Sequence, residues 1–191
     1  MLYLASKSPR RKEILEMIGI EFELLKNSFD ESSISLLSPK NFVLAVSFQK
    51  AKSVVDQVED GFILGVDTIG YFHEEFLFKP KDKIDAIKTL SKLRNDRHAV
   101  FSGLTVLKVK NYEIVDSVRT FAKTKVFFGD FSDDLINKYV ESGKSLDKAA
   151  SYGIQDEGSL FVKKINGCFY NVMGLPVYEL NVALKEIGYF K

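Results

Sequence analysis

The chain has 191 residues, of which 46% are hydrophobic, so it is long enough to form one domain with a sizeable core. Its 27 basic and 26 acidic residues leave a net charge of +1, which argues against a general nucleic-acid or membrane surface. The single cysteine, Cys168, excludes an internal disulfide and fits a reducing compartment. We therefore expect a soluble, cytoplasmic protein in which any anion site is a local concentration of charge.

The N-terminal residues join a short apolar run to a turn that is rich in hydroxyl groups. Residues 2–5 predict a buried strand, and Ser8 followed by Pro9 is typical of a helix N-cap and first turn. Backbone N–H groups, serine hydroxyls and the guanidinium groups of Arg10 and Arg11 then meet where the helix begins. This combination favours an anion such as phosphate. A solvated helix cap with two surface arginines is the alternative.

Further along the chain, a half-exposed strand at 20–24 and a polar stretch at 27–38 precede a second helix. That helix begins at Ser38-Pro39 and is predicted to bury a stripe of apolar residues at three- and four-residue steps, namely Leu44, Phe48, Ala51, Val55 and Val58. Lys50 and Lys52 lie off that stripe. Residues 62–66 then predict a second buried strand that ends at Asp67-Thr68.

The remaining elements mix hairpins with helices. We predict a hairpin that turns near 73–75, a helix at 84–93, two long strands at 98–110 and 112–128, a helix from Ser132 to Gly143, a structureless loop at 147–155, two strands around Asn166-Gly167 and a last helix at 176–187. The fold class is therefore α/β, with a central mixed β-sheet and flanking helices. Since no linker divides the sequence, we expect a single domain over 1–191, with two lobes.

Carboxylates and basic groups are the reactive side chains that this sequence offers. Two histidines cannot build a zinc cage, and the chain has neither a Walker motif nor a Gly-x-Ser-x-Gly elbow. The inventory suits hydrolysis at phosphorus assisted by a hard divalent cation. Asp67 ranks first, because it follows a buried strand and open α/β sheets place ligands at strand ends. An aspartate that only caps a turn is the alternative.

Five blocks, in order along the chain, carry a resemblance to a known family: LASKSPRR (4–11), GVDT (65–68), KP (79–80), DKAASYGIQ (147–155) and NVMGLP (171–176). Together they resemble the Maf family of nucleoside triphosphate pyrophosphatases. The resemblance implies two lobes around a cleft, as in inosine triphosphate pyrophosphatases. It also implies cleavage of nucleoside triphosphates to monophosphate and pyrophosphate with Mg²⁺ or Mn²⁺, a homodimer, removal of modified nucleotides before they enter nucleic acids, and a link to arrest of cell division.

The same resemblance assigns roles to individual residues. It makes Asp67 the general base and implies that Glu31 shares the metal with it. It places on the phosphates a set of hydroxyl and basic side chains, Ser6, Ser8, Arg10 and Arg11, with Lys50 and Lys79 as further charge partners. Arg10, Thr68 and Gln155 match the branch of the family that prefers dTTP and UTP. The Gln155 amide can both donate to and accept from the paired edge of uracil or thymine.

The chain departs from the family pattern at three places. Ala150 stands where the family usually has Gly, Ser47-Phe48 stand where it often has Ala-Arg, and residues 94–98 replace a Leu-Ser-Gly lead into a strand. Two other functions compete with the pyrophosphatase. A haloacid-dehalogenase-type phosphatase would need Asp-x-Asp after the strand, but positions 65 and 69 are Gly and Ile. A non-catalytic or weakly catalytic nucleotide-sensing regulator of septation would use the same pocket.

Overall fold

The computed structural model of the protein describes residues 1–34 and 38–190. In this part of the chain, helices flank a seven-stranded mixed sheet, which confirms the predicted fold class. The strands are β1 (Leu2–Leu4), β2 (Phe22–Leu24), β3 (Gly61–Phe72), β4 (Glu75–Leu77), β5 (Arg97–Lys110), β6 (Glu113–Phe128) and β7 (Val162–Asn166). The helices are α1 (Pro9–Met17), α2 (Pro39–Lys52), α3 (Lys83–Leu93), α4 (Asp133–Glu141), α5 (Phe169–Met173) and α6 (Val177–Glu186). None of these helices combines the length and apolarity that a membrane span requires.

The strand order in the sheet is β2-β1-β3-β5-β6-β7, and β4 pairs with β3 outside this path. β1 lies parallel to both β2 and β3, with Leu4 opposite Leu24 and Leu64. The hairpin partners β3 and β4 are antiparallel, as are β6 and β7. The hairpin turns at His73 and Glu74, both at positive φ, where the sequence predicted a turn.

The chain divides into two compact units. The first unit contains Met1–Thr68, Ser102–Ala122 and Gly174–Lys191, and the second contains Ile69–Phe101 and Lys123–Met173. Whether the two units act as lobes of one domain stays a prediction.

In the first unit, α2 lies directly on β3 and β5. A Cβ atom at Gly65 would collide with the carbonyl oxygen of Ser47, and one at Gly103 with that of Val43. Only glycine therefore allows this approach of helix to sheet. The Ser47 hydroxyl bonds that of Thr105 at 2.9 Å across the same contact. Apolar packing completes the core around it, with Ala5, Ala51, Val54, Val58, Ile63, Leu107 and Val109 buried together.

In the second unit, α3 and α4 contact each other, and their inner faces join a core that is rich in aromatic rings. Ser132 caps α4, as the sequence predicted, because its side chain accepts a hydrogen bond from the Leu135 N–H. Asp82 caps α3 in the same way. The core contains apolar residues from the helices, the strands and the loop that follows α4, among them Phe72, Leu90, Val126, Phe128, Ile136, Tyr152 and Phe161.

The predicted buried face of α2 is only partly correct. Ala51 and Val58 are buried, but Leu44 and Phe48 are half-buried, and Lys50, expected off the buried stripe, is buried. The helix also ends at Lys52, so Val55 belongs to a separate 3₁₀ turn, Val55–Gln57. The reason is the close approach at the two sheet glycines, which turns Val43 and Ser47 towards the sheet and carries Lys50 with them. The spacing of apolar residues in the sequence does not reveal this rotation of α2 about its axis.

The predicted end of the second buried strand is also wrong. β3 continues through Asp67 and Thr68 to Phe72, so both polar residues lie inside the strand. A polar pair after an apolar run resembles a strand end in the sequence. Here, however, both side chains find partners within the first unit, which allows the strand to continue past them.

Two smaller expectations fail as well. The second of the two strands predicted around Asn166-Gly167 is helix α5, and the loop at 147–155 contains a 3₁₀ turn, Ala149–Ser151. A second 3₁₀ turn, Glu157–Phe161, follows this loop. In the polar stretch at 27–38, Glu31–Ser33 form another 3₁₀ turn, while residues 35–37 lie outside the described residues.

Candidate active site

The turn between β1 and α1 forms the first part of the site, and its centre is the Ser6 hydroxyl. Ser6 Oγ accepts from the Ser8 backbone N–H at 3.2 Å and from Arg11 Nη1 at 2.8 Å. Because both acceptor positions of Ser6 are used, its own O–H can donate. Ser8 is the N-cap of α1, as predicted, but its side chain makes no capping bond. The Ser8 hydroxyl is therefore not committed to the helix.

Arg11 ties three distant segments of the first unit together. Its Nε donates to the Gly174 carbonyl at 2.9 Å, and its Nη2 donates to Thr68 Oγ1 at 3.2 Å, in addition to the bond with Ser6. The side chain is buried. Burial lowers the pKa of Arg11 to about 10, and the nearby negative charge of Asp67 opposes this shift. Arg11 is therefore still charged at neutral pH, and all three nitrogens of its guanidinium group donate to oxygen atoms of the protein.

Thr68 extends this network into the middle of the sheet. Its hydroxyl bonds Ser102 Oγ at 2.9 Å and lies 3.3 Å from the Gly174 carbonyl, to which it can donate. The sequence analysis did not identify Ser102, because one serine inside a long apolar strand carries no local signal. Gly174, at φ +115°, lies in one of the family-like blocks, but its carbonyl had no predicted role.

The second part of the site is a lysine that bridges two carboxylates. Lys50 Nζ lies 2.7 Å from Asp67 Oδ1 and 2.7 Å from Glu31 Oε1. Lys50 and Asp67 are both buried, whereas the Glu31 side chain is 52% exposed. A buried carboxylate is stable only when a counter-charge or hydrogen-bond donors offset its lost hydration, and Lys50 does this here.

One oxygen of Asp67 is left without a partner. Among the described residues, Asp67 Oδ2 is a buried side-chain atom to which no protein group donates. Buried polar atoms of this kind are rare in native proteins, and each calls for a ligand, a water molecule or a catalytic role. Asp67 thus presents a fixed oxygen, Oδ1, held by Lys50, and a second oxygen that is available for chemistry.

The carboxylates also allow a test of the predicted divalent cation. Among residues 1–34 and 38–190, no group of three or more His, Cys, Asp or Glu side chains could by itself hold a metal ion. Mg²⁺, however, is usually held by one or two carboxylates together with water and substrate phosphates. The carboxylates of Asp67 and Glu31 lie close together because both contact the Lys50 ammonium group. Asp67 Oδ2 receives no hydrogen bond from the described residues and can accept one more contact. These residues fit a cation that arrives with a phosphorylated substrate.

The first unit contains most of the residues predicted for the site. One cluster joins Ser6, Arg11 and Thr68, and the other joins Glu31, Lys50 and Asp67. The charge of Asp67 acts on Arg11, which links the two clusters electrostatically. Arg10 is half-buried in the first turn of α1. The roles assigned to these side chains stay predictions.

Lys79 and Gln155 belong to the second unit, where both side chains are exposed. Their segments are joined there, because the Ala150 N–H donates to the Phe78 carbonyl at 3.3 Å. Ala150 has a φ of +57°, in the left-handed region that glycine adopts most easily. This backbone conformation explains why a glycine would be favoured at position 150, and alanine there carries some strain.

Comparison with known proteins gives a consistent result. A family model described as "Maf-like protein" matches residues 1–187. The chain is 41% identical over 191 residues to a protein of Clostridium botulinum (strain Okra / Type B1) named dTTP/UTP pyrophosphatase, covering 98% of this chain and 97% of the relative. A protein of Dictyoglomus turgidum with the same name is 39% identical over 189 residues, covering 98% and 96%.

Among solved structures, a HAM1 protein from Coxiella burnetii is similar over 97% of this chain and 98% of its own, with 14% identity and a TM-score of 0.47.

Proposed function

The chain belongs to the Maf family, and on that premise we propose that it is a nucleoside triphosphate pyrophosphatase. The reaction is hydrolysis of a nucleoside triphosphate to the monophosphate and pyrophosphate, with dTTP, UTP or modified pyrimidine nucleotides as preferred substrates. The observation that carries the proposal is the state of Asp67. One of its oxygens is fixed by a buried lysine, and the other is buried and receives no donor from the part of the chain that the structure describes.

In the proposed reaction, Asp67 Oδ2 accepts a proton from a water molecule as the water oxygen attacks the α-phosphorus. A bond forms between that oxygen and phosphorus, and the bond from the α-phosphorus to the bridging oxygen breaks. The two outer phosphates leave as pyrophosphate, and Asp67 later returns the proton to solvent. Lys50 holds the Asp67 carboxylate in position through Oδ1, so the accepting oxygen keeps its orientation.

Groups at the start of α1 supply the proposed phosphate contacts. Ser6 has an O–H that can donate, the Ser8 hydroxyl is not used for capping, and Arg10 adds a positive charge. The positive end of the helix dipole favours a negative ligand at the same place. Because Arg11 is largely occupied by Ser6, Thr68 and Gly174, we assign it mainly to holding this turn in shape.

Asp67 and Glu31 would hold the divalent cation, Mg²⁺ or Mn²⁺, together with the substrate phosphates. When bound, such a cation supplies positive charge to the triphosphate oxygens. Lys50 already neutralises part of the carboxylate charge in this region of the first unit. Lys79, in the second unit, is proposed as a further charge partner of the phosphates, and Gln155 as the group that recognises the paired edge of the base.

The test is a panel of standard and modified nucleoside triphosphates, scored separately for pyrophosphate and for orthophosphate with Mg²⁺ and with Mn²⁺. We expect pyrophosphate, fastest from dTTP and UTP. Asp67→Asn should lower turnover on the order of 10²- to 10⁴-fold and keep the fold intact. Asp60→Asn, an exposed aspartate of the same unit, is the matched control and should match the parent chain.

Each alternative gives a different outcome in the same assay. Release of orthophosphate would indicate a phosphatase, and tight nucleotide binding without turnover would indicate a sensing regulator. Near-normal turnover by Asp67→Asn would overturn the assignment of Asp67. The cytoplasmic location, the homodimer and the absence of nucleic-acid and membrane partners stay predictions.

A further inference from the structure

The loop that carries Gln155 is held by a polar cluster inside the second unit. This cluster, called the Tyr139 network below, consists of Tyr139, Lys148, Gly153, Asp156 and Gly158. Tyr139 belongs to helix α4, and the other four lie in the chain between α4 and β7. None of them belongs to the catalytic groups proposed above, and Tyr139 lies outside the family-like blocks.

The Tyr139 hydroxyl is the centre of the network. It donates to Asp156 Oδ1 at 3.0 Å and accepts from the Gly153 backbone N–H at 3.0 Å. Burial raises the pKa of Tyr139, so the hydroxyl keeps its proton and remains a donor. One side-chain oxygen on a helix thus fixes two positions of the loop, which lie on either side of Gln155.

Asp156 carries the contact further along the chain. Its Oδ1 also accepts from the Gly158 N–H at 2.8 Å, which caps the 3₁₀ turn Glu157–Phe161. Its Oδ2 lies 3.4 Å from Lys148 Nζ, and Lys148 donates to Asp147 Oδ1 at 2.8 Å. Asp156 is therefore satisfied on both oxygens, in contrast to a group held ready for proton transfer.

Gly158 allows the loop to close on the tyrosine. A Cβ at Gly158 would lie 2.6 Å from the Gly153 carbonyl oxygen and 3.0 Å from the Tyr139 hydroxyl. At Gly158 the neighbouring atom is backbone, so only glycine allows the chain to approach itself this closely. A Cβ at Gly153 would instead meet the ends of the Asp156 and Lys148 side chains, the latter at 2.7 Å.

Gln155 projects from this closed segment. Gly153 and Ile154 before it and Gly158 after it are buried, whereas Gln155 itself is exposed. The backbone is therefore fixed on both sides of a side chain that is free to meet a ligand. A site that recognises hydrogen-bonding groups must hold its own donors and acceptors in place before the ligand arrives.

We propose that Tyr139 is a positioning residue for base selection, which acts by fixing the loop around Gln155. The inference rests on the proposed function, in which Gln155 recognises the uracil or thymine edge. Tyr139 does not touch the substrate in this scheme. Its hydroxyl determines where the Gln155 amide lies and so how well a pyrimidine with a different edge is rejected.

The experiment compares kcat/KM for UTP with kcat/KM for CTP in four chains: the parent, Tyr139→Phe, Gln155→Ala and the double variant. We expect Tyr139→Phe to lower the UTP-to-CTP ratio about tenfold, which is the effect of losing one hydrogen bond between Gln155 and the base, mainly through KM for UTP. Gln155→Ala should remove the preference. Tyr139→Phe should then change nothing further in the double variant, because both residues act through one contact.

Tyr152→Phe is the matched control. Tyr152 lies in the same loop, is buried and also bonds through its hydroxyl, to His98 Nε2 at 2.9 Å. Its hydroxyl does not contact the backbone next to Gln155. We expect Tyr152→Phe to lower the melting temperature about as much as Tyr139→Phe and to leave the UTP-to-CTP ratio unchanged. Asp156→Ala, which removes the acceptor for Tyr139 and Gly158, should lower the ratio at least as much as Tyr139→Phe.

The possible failures can be told apart. An unchanged ratio in Tyr139→Phe and Asp156→Ala, or equal losses in Tyr139→Phe and Tyr152→Phe, overturns this inference and leaves the proposed function intact. Additive losses in the double variant also overturn it. A parent chain that releases no pyrophosphate from any nucleotide overturns the proposed function, and the role of Tyr139 in base selection with it.

Discussion

Each unit contains an aspartate paired with a buried lysine, and the two aspartates differ in their other hydrogen-bond partners. In the first unit, Asp67 bonds Lys50 through Oδ1, while Oδ2 receives no donor from the described residues. In the second unit, Asp156 accepts from Tyr139 and from a backbone N–H through Oδ1, and Lys148 lies against Oδ2.

The difference separates two uses of a carboxylate. Asp156 is satisfied on both oxygens and shapes a loop, since hydrogen bonds to a charged acceptor are strong and directional. Asp67 depends on one lysine for its stability in the folded chain, and in the proposed function its other oxygen accepts the proton of the attacking water. A single removed lysine should therefore have very different effects in the two units.

The largest expected effect is that of Lys50→Met. It leaves the Asp67 carboxylate buried without its counter-charge and should lower the free energy of unfolding by about 3–5 kcal/mol, measured by urea denaturation. Lys148→Met should cost only about 1–2 kcal/mol, because Asp156 keeps two other donors. The control is Lys52→Met, because Lys52 is an exposed lysine of α2, the helix that contains Lys50. Equal losses for Lys50 and Lys148 would contradict the distinction between the two pairs.

The next effect concerns the two adjacent arginines of α1. Arg11→Lys keeps the charge but cannot reach Ser6, Thr68 and Gly174 together, so we expect a loss of about 2–3 kcal/mol in the free energy of unfolding. Arg10→Lys should lose less than about 1 kcal/mol. Chemical denaturation of the two variants is the measurement, and a larger loss for Arg10→Lys would contradict the structural role assigned to Arg11.

A pH experiment tests whether the stability of the second unit depends on His98, a buried side chain, being uncharged. Burial lowers the pKa of His98 to about 3, and the charge of Asp96 opposes the shift only weakly. The unfolded chain therefore binds a proton that the folded chain rejects as the pH falls from about 6.5 towards 3. Stability contributed by neutral His98 is present above pH 6.5 and is lost below it, by about 2 kcal/mol between pH 7 and pH 5.

His98→Gln should remove most of that acid-dependent loss, because glutamine can still bond the Tyr152 hydroxyl but does not titrate. The measurement is urea denaturation at pH 5, 6 and 7. Parallel curves for the parent and His98→Gln would show that His98 can be protonated in the folded chain.

The smallest expected effect is at Ala150. Glycine would relieve the strain of the left-handed backbone at φ +57°, but it would gain conformational freedom in the unfolded chain. The two terms nearly cancel, and we expect Ala150→Gly to change the free energy of unfolding by less than about 1 kcal/mol. A stabilisation well above this value would show that the strain in the Gln155 loop is larger than one residue normally carries.

Local signals in the sequence predicted much of the fold correctly. Ser38-Pro39 and Ser132 mark helix starts, because capping depends on a few neighbouring residues. The hairpin at His73 and Glu74 and the long strands β5 and β6 follow from alternation and turn residues. The ordered motifs were also enough to identify the family, which the family match and the curated relatives confirm.

The arrangement of the candidate site could not be predicted in the same way. The sequence predicted Lys50 off the buried stripe of α2 and Asp67 at the end of a strand. Both predictions failed because α2 approaches the sheet at two glycines and because Lys50 and Asp67 neutralise each other across 17 positions of sequence. Apolar periodicity reveals neither of these. The Arg11 bond to Gly174 spans 163 positions, far beyond any local pattern.

By itself, the sequence determined the family, most of the helices and strands and the side chains available for chemistry, because these depend on residue type and short-range spacing. Only the tertiary structure decided which charges are buried together, which arginine is occupied by the protein and which carboxylate oxygen receives no donor from residues 1–34 and 38–190. Those properties arise when distant segments exclude water from the same place, and the energy of a charge depends on that exclusion more than on its neighbours in the chain.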